Sequence, residues 1–192
     1  APIASDSEFG HSNVFFSVPR DEVLRSKMLS YMEKIYTDEN VVIIADSTHQ
    51  VAHDSILSKF PAAQIAKVID NKSLHLDEFL IQLSEDKENW VFLETDQPNM
   101  VASVTSILNS ANTASLLSEK ETQIKVRMFT TSHNSAFEDD AISSTHLSNL
   151  RFTYPSLYKE AGNDSFVKAY QKRFNGLKPD RYAVRGFDVT FD

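Results

Sequence analysis

The sequence contains no cysteine and only 4 glycines among its 192 residues. The absence of cysteine excludes disulfides, thiolate catalysis and zinc or iron–sulfur sites built on cysteine. The shortage of glycine leaves no G-x-S-x-G nucleophile turn and no glycine-rich loop of the kind that cradles phosphate. A serine hydrolase and a phosphate-loop nucleotide-binding protein are therefore disfavoured.

Basic residues and long apolar runs are also scarce. The 19 Lys and Arg against 27 Asp and Glu give a formal net charge of -8, which argues against a nucleic-acid-binding protein. No apolar run approaches the roughly 20 residues that a membrane helix needs. No signal peptide is visible, but the chain opens at Ala1-Pro2-Ile3 and closes within a predicted helix. We therefore expect a piece of a longer protein, for which a missing targeting signal has no meaning.

The chain does contain a clear alternation of strand-like and helix-like segments. The run Val41-Val42-Ile43-Ile44-Ala45 is typical of a strand buried on both faces. Further strands are predicted over 64–69, 90–95 and 124–129. Helices are predicted over 21–36, 49–60, 74–84 and 98–111. Short connections between these elements predict an α/β fold, in which helices flank a parallel sheet in a three-layer αβα arrangement.

Polar loops follow three of the predicted strands. Ligands of parallel sheets bind beyond the carboxyl ends of the strands, near the topological switch point, and this rule selects loops 46–50, 95–99 and 130–134. No catalytic residue, cofactor or metal is predicted in them. The candidate ligand-binding residues of these loops are Asp46, Ser47, Thr48, His49, Thr95, Asp96, Gln97, Thr130 and Thr131.

Other chemical interpretations of these residues are weaker. Asp46 follows a buried strand, as the phosphoacceptor of a receiver domain does, but capping of the next helix is the simpler role. His49 and His53 lie four residues apart, yet no third metal ligand has suitable spacing. A Ser-His-Asp triad is recognised by geometry, which a sequence does not provide.

Two further features predict ordinary structure rather than a site. The acidic run Glu138-Asp139-Asp140 is typical of a solvated loop, because calcium would need more oxygen ligands in a defined arrangement. Trp90 opens a predicted strand, and we expect it to pack in the protein rather than to stack on a sugar.

The last thirty residues carry the most specific pattern. They read as a helix with aromatic residues on one face, a Gly/Pro turn and the start of a second helix. From Phe166 to Asp188 the pattern is F-V-x-x-Y-x-x-x-F-x-G-x-x-P-x-x-Y-A-x-x-G-F-D. It resembles the late segment of type I periplasmic-binding-protein folds, the Leu/Ile/Val-binding-protein-like receptors of bacterial envelopes.

The order of elements resembles this family along almost the whole chain. The resemblance implies that 1–19 is a first-lobe segment and crossover, and that 20–144 is the βα domain of the second lobe. It also implies that 145–192 is the crossover back, followed by first-lobe helices. Most of the first lobe would then lie outside the chain, and the apolar surface left exposed is expected to favour a dimer.

The resemblance implies a non-catalytic ligand-binding domain of the periplasm or cell envelope, similar to the solute-binding proteins of ABC transporters. The ligand implied is a small polar molecule such as an amino acid or peptide. Ser5 and Ser7 match the first-lobe ligand-binding role, because the segment from Ala1 to Ser5 is similar to the family's strand end beside the ligand.

The second-lobe loops depart from the family. The family usually carries an aromatic residue and a glycine after the first strand, and neither is present in Asp46-Ser47-Thr48-His49. This departure leaves an alternative open, an envelope module that binds proteins or peptidoglycan and has lost its small ligand. A lipoprotein or secretion signal outside the chain would support either interpretation.

Overall fold

The computed structural model describes residues 19–69, 73–117, 124–156, 165–180 and 183–184. The chain divides into two compact units, one formed by Asp21–Pro155 and the other by Ala1–Arg20 together with Ser156–Asp192. None of the described helices is long and apolar enough to cross a membrane. The predicted domain boundaries at residues 20 and 145 stay a prediction.

The larger unit is built on a four-stranded sheet whose strands are all parallel. The strands of the unit, in chain order, are β1 Asn40–Ala45, β2 Gln64–Ala66, β3 Val68–Ile69, β4 Ser73–Leu74, β5 Glu88–Glu94 and β6 Lys125–Phe129. The parallel sheet has the order β2-β1-β5-β6, while β3 and β4 form a separate antiparallel pair. The predicted α/β class with a parallel sheet is confirmed.

Helices cover both faces of this sheet. They are α1 Asp21–Ile35, α2 Gln50–Lys59, α3 Leu76–Leu80, α4 Pro98–Leu117 and α5 Ser144–Asn149, with 3-10 turns at Ser47–His49 and Ser135–Glu138. Helices α1 and α2 pack on Val41 and Ile43 of β1, whereas α3, α4 and α5 pack on Val42 and Ile44. Successive strand residues point to opposite faces, so one apolar run supplies both interfaces of a three-layer arrangement.

Trp90 lies in the layer between β5 and the first pair of helices. It is 2% exposed, and its ring contacts those of Tyr36, Phe60 and Phe129 with centroids 5.4 to 6.3 Å apart. Its Nε1 donates a hydrogen bond of 3.0 Å to the Glu88 carboxylate. Such edge and tilted contacts stabilise a core beyond the area they bury, and the predicted packing role of Trp90 is confirmed.

The predicted strand over 64–69 is interrupted in the structure. Only Gln64–Ala66 pairs with β1, and Val68–Ile69 turns away to pair with Ser73–Leu74. In this register Ala66 lies opposite Ile44, one residue before β1 ends, so the sheet could accommodate at most one further pair. The predicted strand was therefore too long.

The predicted helix over 74–84 is shorter, spanning Leu76–Leu80. Beyond Leu80 the backbone makes turn-type hydrogen bonds, from the Gln82 amide to the Phe79 carbonyl at 3.0 Å and from the Leu83 amide to the Leu80 carbonyl at 3.2 Å. Side-chain amides hold the carbonyl groups that follow. Asn40 Nδ2 donates to the Gln82 carbonyl at 2.7 Å, and Asn89 Nδ2 donates to the Ser84 carbonyl at 2.9 Å. Side chains of the sheet thereby hold residues 82–84 in a turn.

The segment after α5 returns to the sheet edge and bonds to β6. The amide of Met128 donates to the Leu150 carbonyl at 2.9 Å, and the amide of Thr153 donates to the Met128 carbonyl at 3.0 Å. Between these segments, Glu138, Asp139 and Asp140 are all exposed, which confirms the predicted solvated acidic loop.

The smaller unit contains helix α6, Ser165–Arg173. The rings of Phe166, Tyr170 and Phe174 follow one another along its surface, with centroids 5.9 and 4.4 Å apart. Gly176 ends the helix at φ +85, where its amide donates to the Gln171 carbonyl at 2.8 Å. A residue without Cβ adopts this conformation at no steric cost, so the predicted aromatic helix and glycine turn are confirmed.

Candidate functional site

The carboxyl ends of β1, β5 and β6 meet at one edge of the sheet. Ala45 at the end of β1 lies opposite Glu94 at the end of β5, and the amide of Asp46 donates to the Glu94 carbonyl at 3.2 Å. The chain leaves β1 toward β2 on one side and later enters β5 on the other. The topological switch point of the sheet therefore lies between β1 and β5, where parallel sheets open a crevice for ligands.

Asp46 organises the β1 side of this edge. Its Oδ1 accepts from the Thr48 amide at 3.0 Å and the Thr48 hydroxyl at 2.6 Å, and lies 2.7 Å from His49 Nδ1. Its Oδ2 accepts from the Thr95 hydroxyl at 2.7 Å. The bond to the Thr48 amide caps the 3-10 turn, which confirms the capping role, and both oxygens are already engaged, unlike those of an open phosphoacceptor.

The charge of Asp46 is fixed by the same contacts. Burial by itself raises the pKa of this carboxyl, but the hydrogen bonds from His49, Thr48 and Thr95 outweigh burial and lower the pKa to about 2. Asp46 is therefore a carboxylate at any pH near neutrality.

Glu94 is the buried acid of the β5 side, and the sequence analysis missed it. It is 0% exposed, and its Oε1 accepts from the Thr131 amide at 2.6 Å. Its Oε2 has no hydrogen-bond partner among the described residues. Burial raises the pKa of Glu94 to about 7, against smaller lowering effects of Thr131, Arg25 and His49. The available signal was a lone carboxylate that ends the apolar run Trp90 to Leu93.

Arg25 reaches this edge from α1 and was also missed. Its Nε donates to the Thr131 hydroxyl at 3.2 Å. Within the described residues, no carboxylate lies at ion-pair distance from its guanidinium, unlike Arg151, which pairs with Glu88. Arg25, Thr131 and Glu94 thus connect α1, the loop after β6 and the end of β5. Nothing in the local sequence around Arg25 distinguishes it from an ordinary helix-surface arginine.

An outer rim of more exposed side chains surrounds these buried groups. His49 Nε2 lies 3.4 Å from Asp96 Oδ1, and Asn134 Nδ2 donates to the same oxygen at 2.7 Å. Asn134 also donates to the Thr95 carbonyl at 3.0 Å. The Asp96 side chain is 63% exposed, whereas that of His49 is 13% exposed. The rim therefore links all three strand-end loops above the buried acids.

Aromatic rings line the β6 side of the rim. The His133 ring stacks on that of Tyr154 with centroids 4.0 Å apart, and Phe137 lies behind it at 5.8 Å. Burial lowers the pKa of His133, and Glu138 opposes this effect only in part. The ring of His133 consequently belongs to an aromatic wall rather than to the charged part of the site.

The structure brings most of the predicted site residues together. Asp46, Thr95, Thr130 and Thr131 are buried at the strand ends, and Ser47, Thr48, Asp96 and Gln97 are exposed around them. Ser5 and Ser7 lie outside the described residues. His53 does not join the site, because its Nδ1 bonds to Asp54 at 2.8 Å. No group of side chains in the described part of the chain has an arrangement that could hold a metal ion.

No protein-family model matches the chain, and a search of curated proteins returned no significant match.

Proposed function

We propose that the chain is a non-catalytic ligand-binding domain of a bacterial cell-envelope protein, on a type I periplasmic-binding-protein-like lobe. Its ligand is a small polar molecule, such as an amino acid or short peptide, at the carboxyl edge of the sheet. The observation that carries this proposal is the convergence of Asp46, Glu94 and Thr95 on the switch point between β1 and β5. Buried polar groups cost free energy, and their concentration at this edge favours recognition over packing.

The contacts of the His49 ring support binding rather than catalysis. Its Nδ1 faces Asp46 at 2.7 Å and its Nε2 faces Asp96 at 3.4 Å. A general base needs one ring nitrogen free to take a proton from a nucleophile. Here carboxylates face both nitrogens, so the ring holds two strand-end loops together.

Isothermal calorimetry on the intact protein tests the proposal. The probes are the twenty standard L-amino acids and a set of dipeptides, each titrated alone. We expect binding heat from at least one probe. We also expect roughly tenfold weaker binding in Thr95→Val. In this variant Asp46 Oδ2 loses its hydrogen-bond donor, and the loop after β5 is no longer held to the loop after β1 by this bond.

The matched control is Thr37→Val, which changes an exposed threonine whose hydroxyl donates to the nearby Glu39. This control should bind like the wild type. Absence of heat with every probe would contradict the small-ligand proposal.

A second candidate function is an envelope module that binds peptidoglycan or a protein partner without a small ligand. The observation that favours it is the mutual pairing of the site's polar groups: Asp46 already holds Thr48, His49 and Thr95, and Asn134 holds Asp96. A site satisfied internally has less to offer a small molecule. Sedimentation of the protein with purified peptidoglycan sacculi tests this function. If the function is right, the protein co-sediments with the sacculi and gives no binding heat with the amino acids and dipeptides.

A further inference from the structure

One buried carboxyl oxygen at the switch point has no hydrogen-bond partner among the described residues. This oxygen is Oε2 of Glu94, whose other oxygen accepts from the Thr131 amide at 2.6 Å. Asp46, by contrast, uses both of its oxygens. An unpaired polar atom in a buried position is costly and in a native protein requires an explanation, which a bound partner would supply.

The groups around Glu94 determine which partner suits it. Arg25 from α1 and His49 from the turn after β1 lie near enough to act on its charge, and both favour negative charge at this position. The Asp46 carboxylate lies one strand away but is bonded to Thr95. Of these groups, the guanidinium of Arg25 can donate a hydrogen bond to a ligand beside Glu94.

The protonation of Glu94 determines whether Oε2 donates or accepts a hydrogen bond. Burial raises the pKa of Glu94 to about 7, so a large fraction of the molecules carries the acid form at neutral pH. In the acid form the proton belongs on Oε2, because Oε1 is occupied as an acceptor from Thr131. Oε2 is then a donor, and the partner it lacks is an acceptor.

We propose, building on the ligand-binding function proposed above, that the acid form of Glu94 donates a hydrogen bond from Oε2 to a carboxylate oxygen of the ligand, with the guanidinium of Arg25 as a second donor. A carboxylate is the acceptor that both donors suit, because charge-assisted bonds to it are stronger than bonds to a neutral carbonyl. The ligand then approaches Glu94 with its acid end.

The geometry also limits how the ligand enters. Glu94 is 0% exposed, so the side chains that cover it must move when the ligand enters. A small group requires the least movement. A single carboxylate fits this requirement better than a ring or a bulky head group.

The first test measures proton exchange by calorimetry at pH 7, in two buffers of different ionisation enthalpy, with each of the twenty standard L-amino acids as the probe. We expect proton uptake on binding, because the ligand selects the acid form of Glu94. Affinity should fall by up to tenfold for each pH unit above pH 7, the limit for one linked proton. The carboxamide of the same amino acid should bind at least tenfold more weakly.

The variant Glu94→Gln supplies a neutral donor that does not titrate, and it should lose the pH dependence. The matched control is Glu33→Gln on α1, whose exposed carboxylate pairs with Lys59 and should leave the pH dependence as in the wild type. Arg25→Met should weaken binding about tenfold. The control for that change is Lys34→Met, an exposed cation on the same helix.

The outcomes separate this inference from the function on which it rests. Binding without proton uptake, binding that tightens as the pH rises, or equal binding of the carboxamide would overturn the role of Glu94 and leave the ligand-binding function standing. Absence of binding with every probe would overturn the function itself. The wild-type measurement decides the question even where Glu94→Gln does not fold.

Discussion

Replacement of Glu94 by glutamine should stabilise the protein at alkaline pH and have little effect at acidic pH. The folded state raises the pKa of Glu94 from an ordinary value of 4.5 to about 7. The folded protein therefore binds this proton more tightly than the unfolded chain does. The stabilisation is fully present below pH 4.5 and is lost as the pH rises through 7. Glutamine keeps the neutral shape of the acid and has no charge to bury.

The pKa difference sets the magnitude. Each unit corresponds to roughly 1.4 kcal/mol, so ionising Glu94 in the folded state lowers the free energy of unfolding by about 3 kcal/mol at pH 8. At pH 5 the loss is below about 1 kcal/mol. We therefore expect Glu94→Gln to gain about 2 kcal/mol over the wild type between these two pH values.

Urea unfolding at pH 5 and pH 8 measures this gain. Trp90 is the only tryptophan of the chain and is buried, so its fluorescence reports the unfolding of the sheet. The exposed control Glu33→Gln should give the same stability change between the two pH values as the wild type.

An equal stability difference between wild type and Glu94→Gln at pH 5 and pH 8 would refute the reasoning. It would mean that Glu94 titrates normally in the folded state, as an exposed carboxyl does. A lower free energy of unfolding for Glu94→Gln than for the wild type at pH 8 would also refute the reasoning. It would show that the ionised form contributes favourably through Arg25.

Other substitutions test the remaining contacts. As the pH falls from 4 to 2, the protein should lose about 2 kcal/mol of the stabilisation that Asp46 contributes, because its carboxyl takes up a proton. His49→Ala should move this loss to higher pH in urea unfolding, whereas His75→Ala, at an exposed histidine, should not. Asn89→Ala should cost about 2 kcal/mol in urea unfolding, because the Ser84 amide and the Lys125 carbonyl lose their buried partner. Trp90→Ala should cost about 3 to 5 kcal/mol, measured by circular dichroism.

The framework of the larger unit could be predicted from the sequence because apolar periodicity encodes it. The run Val41 to Ala45 has no polar interruption, and only a strand buried on both faces accommodates it. The loops after the strands followed from the direction of a parallel sheet, which brings carboxyl ends to one edge. These two rules were sufficient to select Asp46, Thr95 and Thr131.

The contacts of Arg25 and Glu94 with Thr131 could not be predicted in the same way. Arg25 and Thr131 are 106 residues apart in the chain, and Glu94 and Thr131 are 37 apart. Which helix face meets which strand end depends on packing angles that no local pattern contains. The ends of β2 and α3 were misjudged for a related reason, since their limits depend on Ile44 and Asn89 in other strands.

Two carboxyls on neighbouring strand ends have pKa values that the fold separates, Asp46 to about 2 and Glu94 to about 7. Burial raises both pKa values, and the donors oppose it to different extents, since Asp46 has donors on both oxygens and Glu94 has them on one. A site of pure packing residues has no need for a buried acid with an unpaired oxygen, and strongly perturbed titratable groups concentrate at functional sites. Glu94 is for this reason the residue on which the choice between a ligand-binding domain and a ligand-free interaction module depends. A module that has lost its ligand would gain stability from glutamine at this position and would lose nothing that binding experiments detect.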